Sequence, residues 1–295
     1  MLSECMWLGL CSALMANPPL HTYYPRLAFE KLTSVEKESR NFAKQVGEQS
    51  EHYSAWRDVR SDGNCFYRAV ACALLEHYCR PFTPLSELEN FCRRLDYQET
   101  EPVRDENIAD YLLVLRVLMK VMDLKKAGSP TVMEVAHQLL SSDTFIIPFI
   151  KVLRYVAWSA LKAFHPEPYW EGLEEEPETK LLLDNRHSAG DLDAIGIAWG
   201  LDVKLRLVEM GKANIEVTTK TFEPGTRVHA QQPDNCISTD PTGRLHLHVG
   251  FNAGHFMAFY PEGLQKFEEE RDQRYVQRVE ANPENCESYA RLIRA

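Results

Sequence analysis

The chain has 295 residues with a formal net charge of -10, 44% hydrophobic and 26% charged, a balance that suits a globular protein with a large core. Acidity argues against nucleic acid and anionic membrane as partners, since both are usually met by a basic face. The eight cysteines (Cys5, Cys11, Cys65, Cys72, Cys79, Cys92, Cys236 and Cys286) include no C-x-x-C pair. That argues against a disulfide framework and a zinc site, and favours reduced thiols in a cytoplasmic setting.

Met6 to Ala16 is short, apolar and ends in small residues, like the core of a signal peptide. No Lys or Arg precedes it and Glu4 does, so an N-terminal helix is the favoured reading. Elsewhere no apolar run approaches the roughly 20 residues of a membrane span. Residues up to about Ser54 read as helical and polar, and Trp56 to Asn64 as a polar stretch ending in an Asp-Gly-Asn turn. Phe66, Ala69, Val70, Ala73 and Leu74 then fall at helical spacing, so Cys65 opens a helix.

Helical pattern continues over 86–96, 107–124, Val132 to Leu140 and Tyr155 to Phe164. Pro166 to Glu178 reads as an exposed loop. Asp191 to Trp199 is a short helix closed by Gly200. Alternating apolar residues predict strands around Val203 to Leu207, Ile215 to Phe222, Leu245 to Val249 and Phe256 to Tyr260. A helical half followed by a β-rich half argues for α+β or α/β, with helices packed on a small sheet.

Ser61 to Ala69 (SDGNCFYRA) carries the sharpest chemistry. A cysteine in the first helical turn meets unpaired N–H groups and the positive end of the macrodipole, both of which favour thiolate. Gly63 permits the turn that aims the amides of Asp62 to Cys65 at one point, where they would meet an oxyanion. The alternative, a small buried core cysteine, is common in general, but the polar Asp-Gly-Asn run argues for an accessible thiol. Of ten histidines, His255 stands at the start of an apolar strand, where a base would be held rigidly. His246 and His248 share a strand face and read as a polar sheet face, because no third ligand has metal-site spacing. His165 and His187 sit in polar stretches without a positional argument.

DGNCFYRA resembles the nucleophile motif of the ovarian-tumour (OTU) cysteine proteases, and GHFMAFY resembles the histidine motif of the otubains. SAGDLDAIGIAWGLDVKLRLVEM is similar to the otubain stretch where a helix leads into a core strand. TVMEVAHQLLSSDTFIIPFIKVLRYVAWSALKAF resembles the helical insertion that distinguishes otubains from shorter OTU proteins. The resemblance covers roughly residues 50 to 260. It implies an α+β fold of the OTU/papain-like type, with a small central sheet flanked by helices. It divides the chain into a helical extension (1–50), a catalytic domain (51–262) and a charged helical extension (263–295).

The same resemblance implies a deubiquitinase with ubiquitin and polyubiquitin as substrates and a ubiquitin-conjugating enzyme as a candidate partner. It implies no metal and no cofactor, and by default a preference for the chain type that marks proteins for degradation. Carried over residue by residue, Cys65 is the nucleophile, His255 the general base, and Asp62 shapes the oxyanion loop. One departure stands out. Otubains place Asp or Asn two residues after the histidine, whereas this chain has Met257, which accepts a proton poorly. Asp58, and after it Asn252, are the substitutes to orient His255. Without such a partner the chain would be a weak enzyme or an inactive ubiquitin-binding scaffold, since losing one costs orders of magnitude in rate. A thiol hydrolase or acyltransferase of similar geometry is a third possibility. The expected location is the cytoplasm, or the host cytosol for an exported bacterial protein.

Overall fold

The computed structural model describes residues 27–28, 45, 48–81, 83–96, 105–129, 131–164, 189–210, 217–224, 229–230, 244–252 and 254–261. The expected N-terminal helix at 6–16, the loop at 166–178, His165, His187 and the charged tail lie outside the described residues.

Within β3 (Lys204–Met210) and β6 (His246–Asn252), Leu205, Leu207, Leu247 and Val249 are buried. These strands run parallel, with Leu205 opposite Leu247 and Leu207 opposite Val249, and form the middle of the sheet. β7 (His255–Pro261) folds back antiparallel on β6, pairing Asn252 with His255 and Gly250 with Met257. Gly254 makes that reversal at φ 90°, a region open to glycine at little cost. β2 (Tyr53–Arg57) pairs antiparallel with β7, and β1 (Leu27–Ala28) closes that edge. On the other side lie β4 (Thr218–Phe222) and β5 (His229–Ala230), giving the order β1-β2-β7-β6-β3-β4-β5.

β2 corrects the expectation of helix and polar loop around Ser54. Tyr53-Ser-Ala-Trp-Arg57 carries little sequence signal of its own. It is a strand because β7 offers it a ladder and its side chains are then buried.

Six helices surround the sheet among the described residues: α1 (Cys65–Cys79), α2 (Leu85–Asp96), α3 (Asp105–Lys126), α4 (Val132–Ser141), α5 (Asp143–Phe164) and α6 (Asp191–Leu201). α1 lies against β7 and β6, where Phe66 meets Phe256 edge to face at 5.3 Å. Two boundaries differ from expectation. α5 starts at Asp143, well before Tyr155, and runs through Pro148. The missing N–H of that proline is offset by burial of Phe145, Ile146, Phe149, Ile150 and Leu153. Asp143 to Ala163 is long and apolar enough to cross a membrane, but 72% of its most apolar window is buried in this protein, as befits a core helix.

α6 likewise continues through Gly200 to Leu201, and Asp202 ends it in the left-handed region at φ 51°. Gly200 is a packing residue: a Cβ there would stand 2.5 Å from Val156 Cγ1, and one on Gly196 would stand 2.6 Å from the Ala157 carbonyl oxygen. Spaced four apart, the two glycines let α6 press its backbone onto α5. The whole arrangement is α+β, with a small mixed sheet flanked by helices.

Candidate functional site

β2 runs out at Arg57, β7 begins at His255 and α1 begins at Cys65, so three element ends bring Asp58, His255 and Cys65 together. His255 Nε2 lies 2.7 Å from Asp58 Oδ1 and donates to it. Asp58 accepts from Nε2, and Cys65 is the other side chain that acts on the imidazole, whose Nδ1 is buried without a hydrogen-bond partner among the described residues. With Nε2 taken by Asp58, Nδ1 is left to the thiol.

The hydrogen bond to Asp58 is the largest influence on His255, followed by that with Cys65; despite partial burial the imidazole is raised to about 9. Burial pushes the Cys65 thiol up, but His255, the backbone at Phe256 and Phe66 and the charge on the imidazolium outweigh it, so the thiol sits below its ordinary value. Each group favours the charged form of the other.

Cys65 is nevertheless only 6% exposed, against the expectation that a polar turn would keep it accessible. The reason is tertiary: Phe256 packs on Phe66 in the first turn of α1 and its backbone reaches Cys65, which belongs to the same buried core. His255 and Asp58 beside it remain partly exposed.

Asp62 has two tasks. Its Oδ1 accepts from the Asn64 N–H at 3.1 Å, and both oxygens accept from Arg68, with Oδ2 2.5 Å from Nη2. Burial works against ionisation, but Arg68 and the Asn64 amide hold the carboxyl below its ordinary value. Gly63 stands at φ 79° between them. This sharpens the expected oxyanion loop. The Asp62 amide is spent on the Arg60 carbonyl and the Asn64 amide on Asp62, so Gly63 and Cys65 carry the amides of that run that no group among the described residues takes up.

Met257, the apparent vacancy of the sequence, packs with Tyr53, Trp56, Val208, Met210 and Phe259. Asn252, the other substitute, is buried opposite His255 in the β6–β7 ladder, while His255 Nε2 donates to Asp58. His248 corrects the expected polar sheet face: it is buried, hydrogen-bonded through Nδ1 to the Tyr53 hydroxyl at 3.0 Å, and burial pushes it down to about 3. Among the described residues no group of three or more His, Cys, Asp or Glu could hold a metal ion.

Sequence reasoning missed the layer beneath the loop. Arg154 Nη2 donates to Asn64 Oδ1 at 3.0 Å and its guanidinium lies over the Tyr67 ring at 4.3 Å. The Tyr67 hydroxyl donates to Asp193 Oδ1 at 2.6 Å, and Arg154 Nη1 is 4.0 Å from the same oxygen. The available signal was one arginine inside the apolar run Phe145 to Trp158, where an unpartnered charge would be costly.

The family model described as Peptidase C65 Otubain matches residues 19–256, a span containing Asp58, Asp62, Cys65 and His255. The chain belongs to the Otubain family. Among solved structures, an otubain resembles it in the ceOTUB1 complex with ubiquitin aldehyde and UBC13~Ub, with a TM-score of 0.59 at 18% identity, covering 81% of this chain and 92% of that one. The h/ceOTUB1 complex with ubiquitin aldehyde and UBC13~Ub gives 0.55 at 17%, covering 88% and 98%. That with UBCH5B~Ub gives 0.54 at 16%, again covering 88% and 98%. At these identities the likeness is one of fold. No curated protein matched the sequence.

Proposed function

We propose that this otubain is a thiol-dependent deubiquitinase in which Cys65 is the nucleophile, His255 the acid and base, and Asp58 the residue that orients His255. The observation that carries the reading is the 2.7 Å bond from His255 Nε2 to Asp58, which leaves Nδ1 for a cysteine at a helix start. The Cys65 thiolate attacks the carbonyl carbon of the C-terminal glycine of ubiquitin, and the amides of Gly63 and Cys65 meet the oxyanion. His255 gives its Nδ1 proton to the departing lysine amine as the C–N bond breaks, leaving a thioester on Cys65. Water, losing a proton to His255, then attacks the thioester and releases the ubiquitin carboxylate. Asp58 keeps the Nε2 proton in place throughout and stabilises the imidazolium. Asp62 acts on the loop, through the Asn64 amide and Arg68.

The motive for an inactive scaffold is Met257, and the His255 Nε2 bond to Asp58 supports the enzyme reading instead. Ubiquitin is the substrate we assign, and a ubiquitin-charged conjugating enzyme the further partner, because the similar structures hold ubiquitin aldehyde together with UBC13~Ub or UBCH5B~Ub. The degradation-signal linkage is the preference we carry over from the family. A working thiol needs a reducing compartment, so we place the protein in the cytoplasm, or in host cytosol if it is exported.

A ubiquitin probe ending in an electrophile tests the reading. Wild type should form a covalent adduct and cleave diubiquitin, and Cys65→Ala should do neither. Ubiquitin binding without adduct would return the scaffold, and no binding at all would overturn both.

A further inference from the structure

Asn64 stands between the two amides assigned to the oxyanion, and it is held from both sides. Its backbone N–H is fixed by Asp62 and its side-chain oxygen by Arg154. Asp62 belongs to the same loop, but Arg154 does not. It sits mid-way along α5, ninety residues further on, at 1% exposure. There it is wedged against the Tyr67 ring and beside Asp193 of α6. Asp193 in turn accepts from the Tyr67 hydroxyl at 2.6 Å and from the Gly190 N–H at 2.8 Å, which caps α6.

The guanidinium is therefore fixed by two helices that themselves interlock through Gly196 and Gly200. Among the described residues, Asn64 is the member of this network that borders the nucleophile. Its φ of -105° and ψ of 9° set the plane of the peptide that carries the Cys65 N–H. The side-chain bond from Arg154 restrains that plane against rotation.

We propose that Arg154 is a positioning residue for the oxyanion site: through Asn64 it holds the Gly63 and Cys65 amides in line, making the helical insertion a brace for the reacting centre. The inference rests on the nucleophile assigned above, not on ubiquitin as substrate. It separates the loop from the acid–base pair, because Arg154 touches neither Asp58 nor His255 in the bonds that set the imidazole.

Two reagents small enough to act without ubiquitin distinguish these parts. Acylation of Cys65 by p-nitrophenyl acetate passes through a tetrahedral oxyanion, whereas alkylation by iodoacetamide is a direct displacement with none. Both need the thiolate, and only the first needs the amides. In full-length protein, Asn64→Ala and Arg154→Lys should each slow acylation on the order of tenfold to a hundredfold. Alkylation, and its pH profile, should stay within about twofold of wild type, as expected if the thiolate is untouched. The double variant should be no slower than the worse single one, because both break one bond.

Acylation unchanged in Asn64→Ala, or acylation and alkylation falling together, overturns the inference. Additive losses in the double variant overturn it as well. Should Arg154→Lys fail to fold, Asn64→Ala still decides, because it leaves the Arg154–Tyr67–Asp193 contacts in place. Diubiquitin cleavage, measured in parallel, reports on the substrate assignment alone. Wild type that is acylated normally but cleaves no ubiquitin substrate would sink the deubiquitinase reading and leave the brace standing.

Discussion

α1 begins and ends with a cysteine, and the two thiols have opposite fates. Cys65, at the first turn, is drawn toward thiolate despite its burial. Cys79, at the last turn, is 1% exposed and its burial pushes the thiol up to about 12. Lys125 acts in the other direction on Cys79 without overcoming burial. The helix supplies part of the difference, since its N-terminus offers amides to an anion and its C-terminus offers carbonyls. The remainder comes from the neighbour: Cys65 has an imidazole held charged by a carboxylate, whereas the charge on Cys79 from Glu76 is of the wrong sign. Burial alone thus holds a cysteine as the thiol, and burial beside an imidazolium draws it toward thiolate.

The contrast breaks most visibly at Cys65. Cys65→Ala should remove turnover by on the order of 10⁴-fold or more, read as loss of diubiquitin cleavage, while the melting temperature stays near wild type. The next largest effect belongs to Asp58→Ala, for which kcat should fall about 10² to 10⁴-fold. In wild type, thiol alkylation plotted against pH should show the imidazolium losing its proton near 9, and in Asp58→Ala that feature should move down.

The same group sets a stability window. The folded value of His255, about 9, lies above the unfolded one near 6.5. Its contribution is therefore complete below about 6.5 and is lost as pH rises through about 9. Denaturant melts of wild type should weaken across that window, and those of Asp58→Ala should be flatter.

A smaller effect on activity, with a real one on stability, is expected at the other end of α1. Cys79→Ser places a hydroxyl in an apolar site and should cost about 1–3 kcal/mol in denaturant melts with kcat unchanged. Met257→Ala should behave alike, destabilising by about 2–5 kcal/mol while leaving kcat within about threefold. A large loss of kcat there would mean that Asp58 does not orient His255. His248 gives the smallest effect at neutral pH. Its value of about 3 lies below the unfolded one near 6.5, so its stabilisation is present above about 6.5 and lost as pH falls toward 3. His248→Gln should flatten the acid arm of the stability curve.

Much of the fold was legible where one period dominates. α1, α2, α3, α4 and the strands β3, β6 and β7 follow from repeats of 3.6 or 2 in apolar residues. Cys65 and Gly63 were legible for a local reason: a helix start and a left-handed turn are made by neighbouring residues. β2 and the first half of α5 were not. The one is a strand through pairing with β7, and the other is a helix through burial of a run in which Pro148 suggests a break.

The sequence by itself determined the Asp-Gly-Asn turn that opens a helix at Cys65, the alternation of the central strands and the absence of an acid two residues after His255. Those are properties of adjacent residues. Only the tertiary structure decided that Asp58 reaches His255 across 197 positions and that Arg154 reaches Asn64 across 90. It also decided that Cys65, with polar residues before it, ends up buried. Contacts between residues far apart in the chain leave no periodic trace, because they depend on which element ends the sheet order brings side by side.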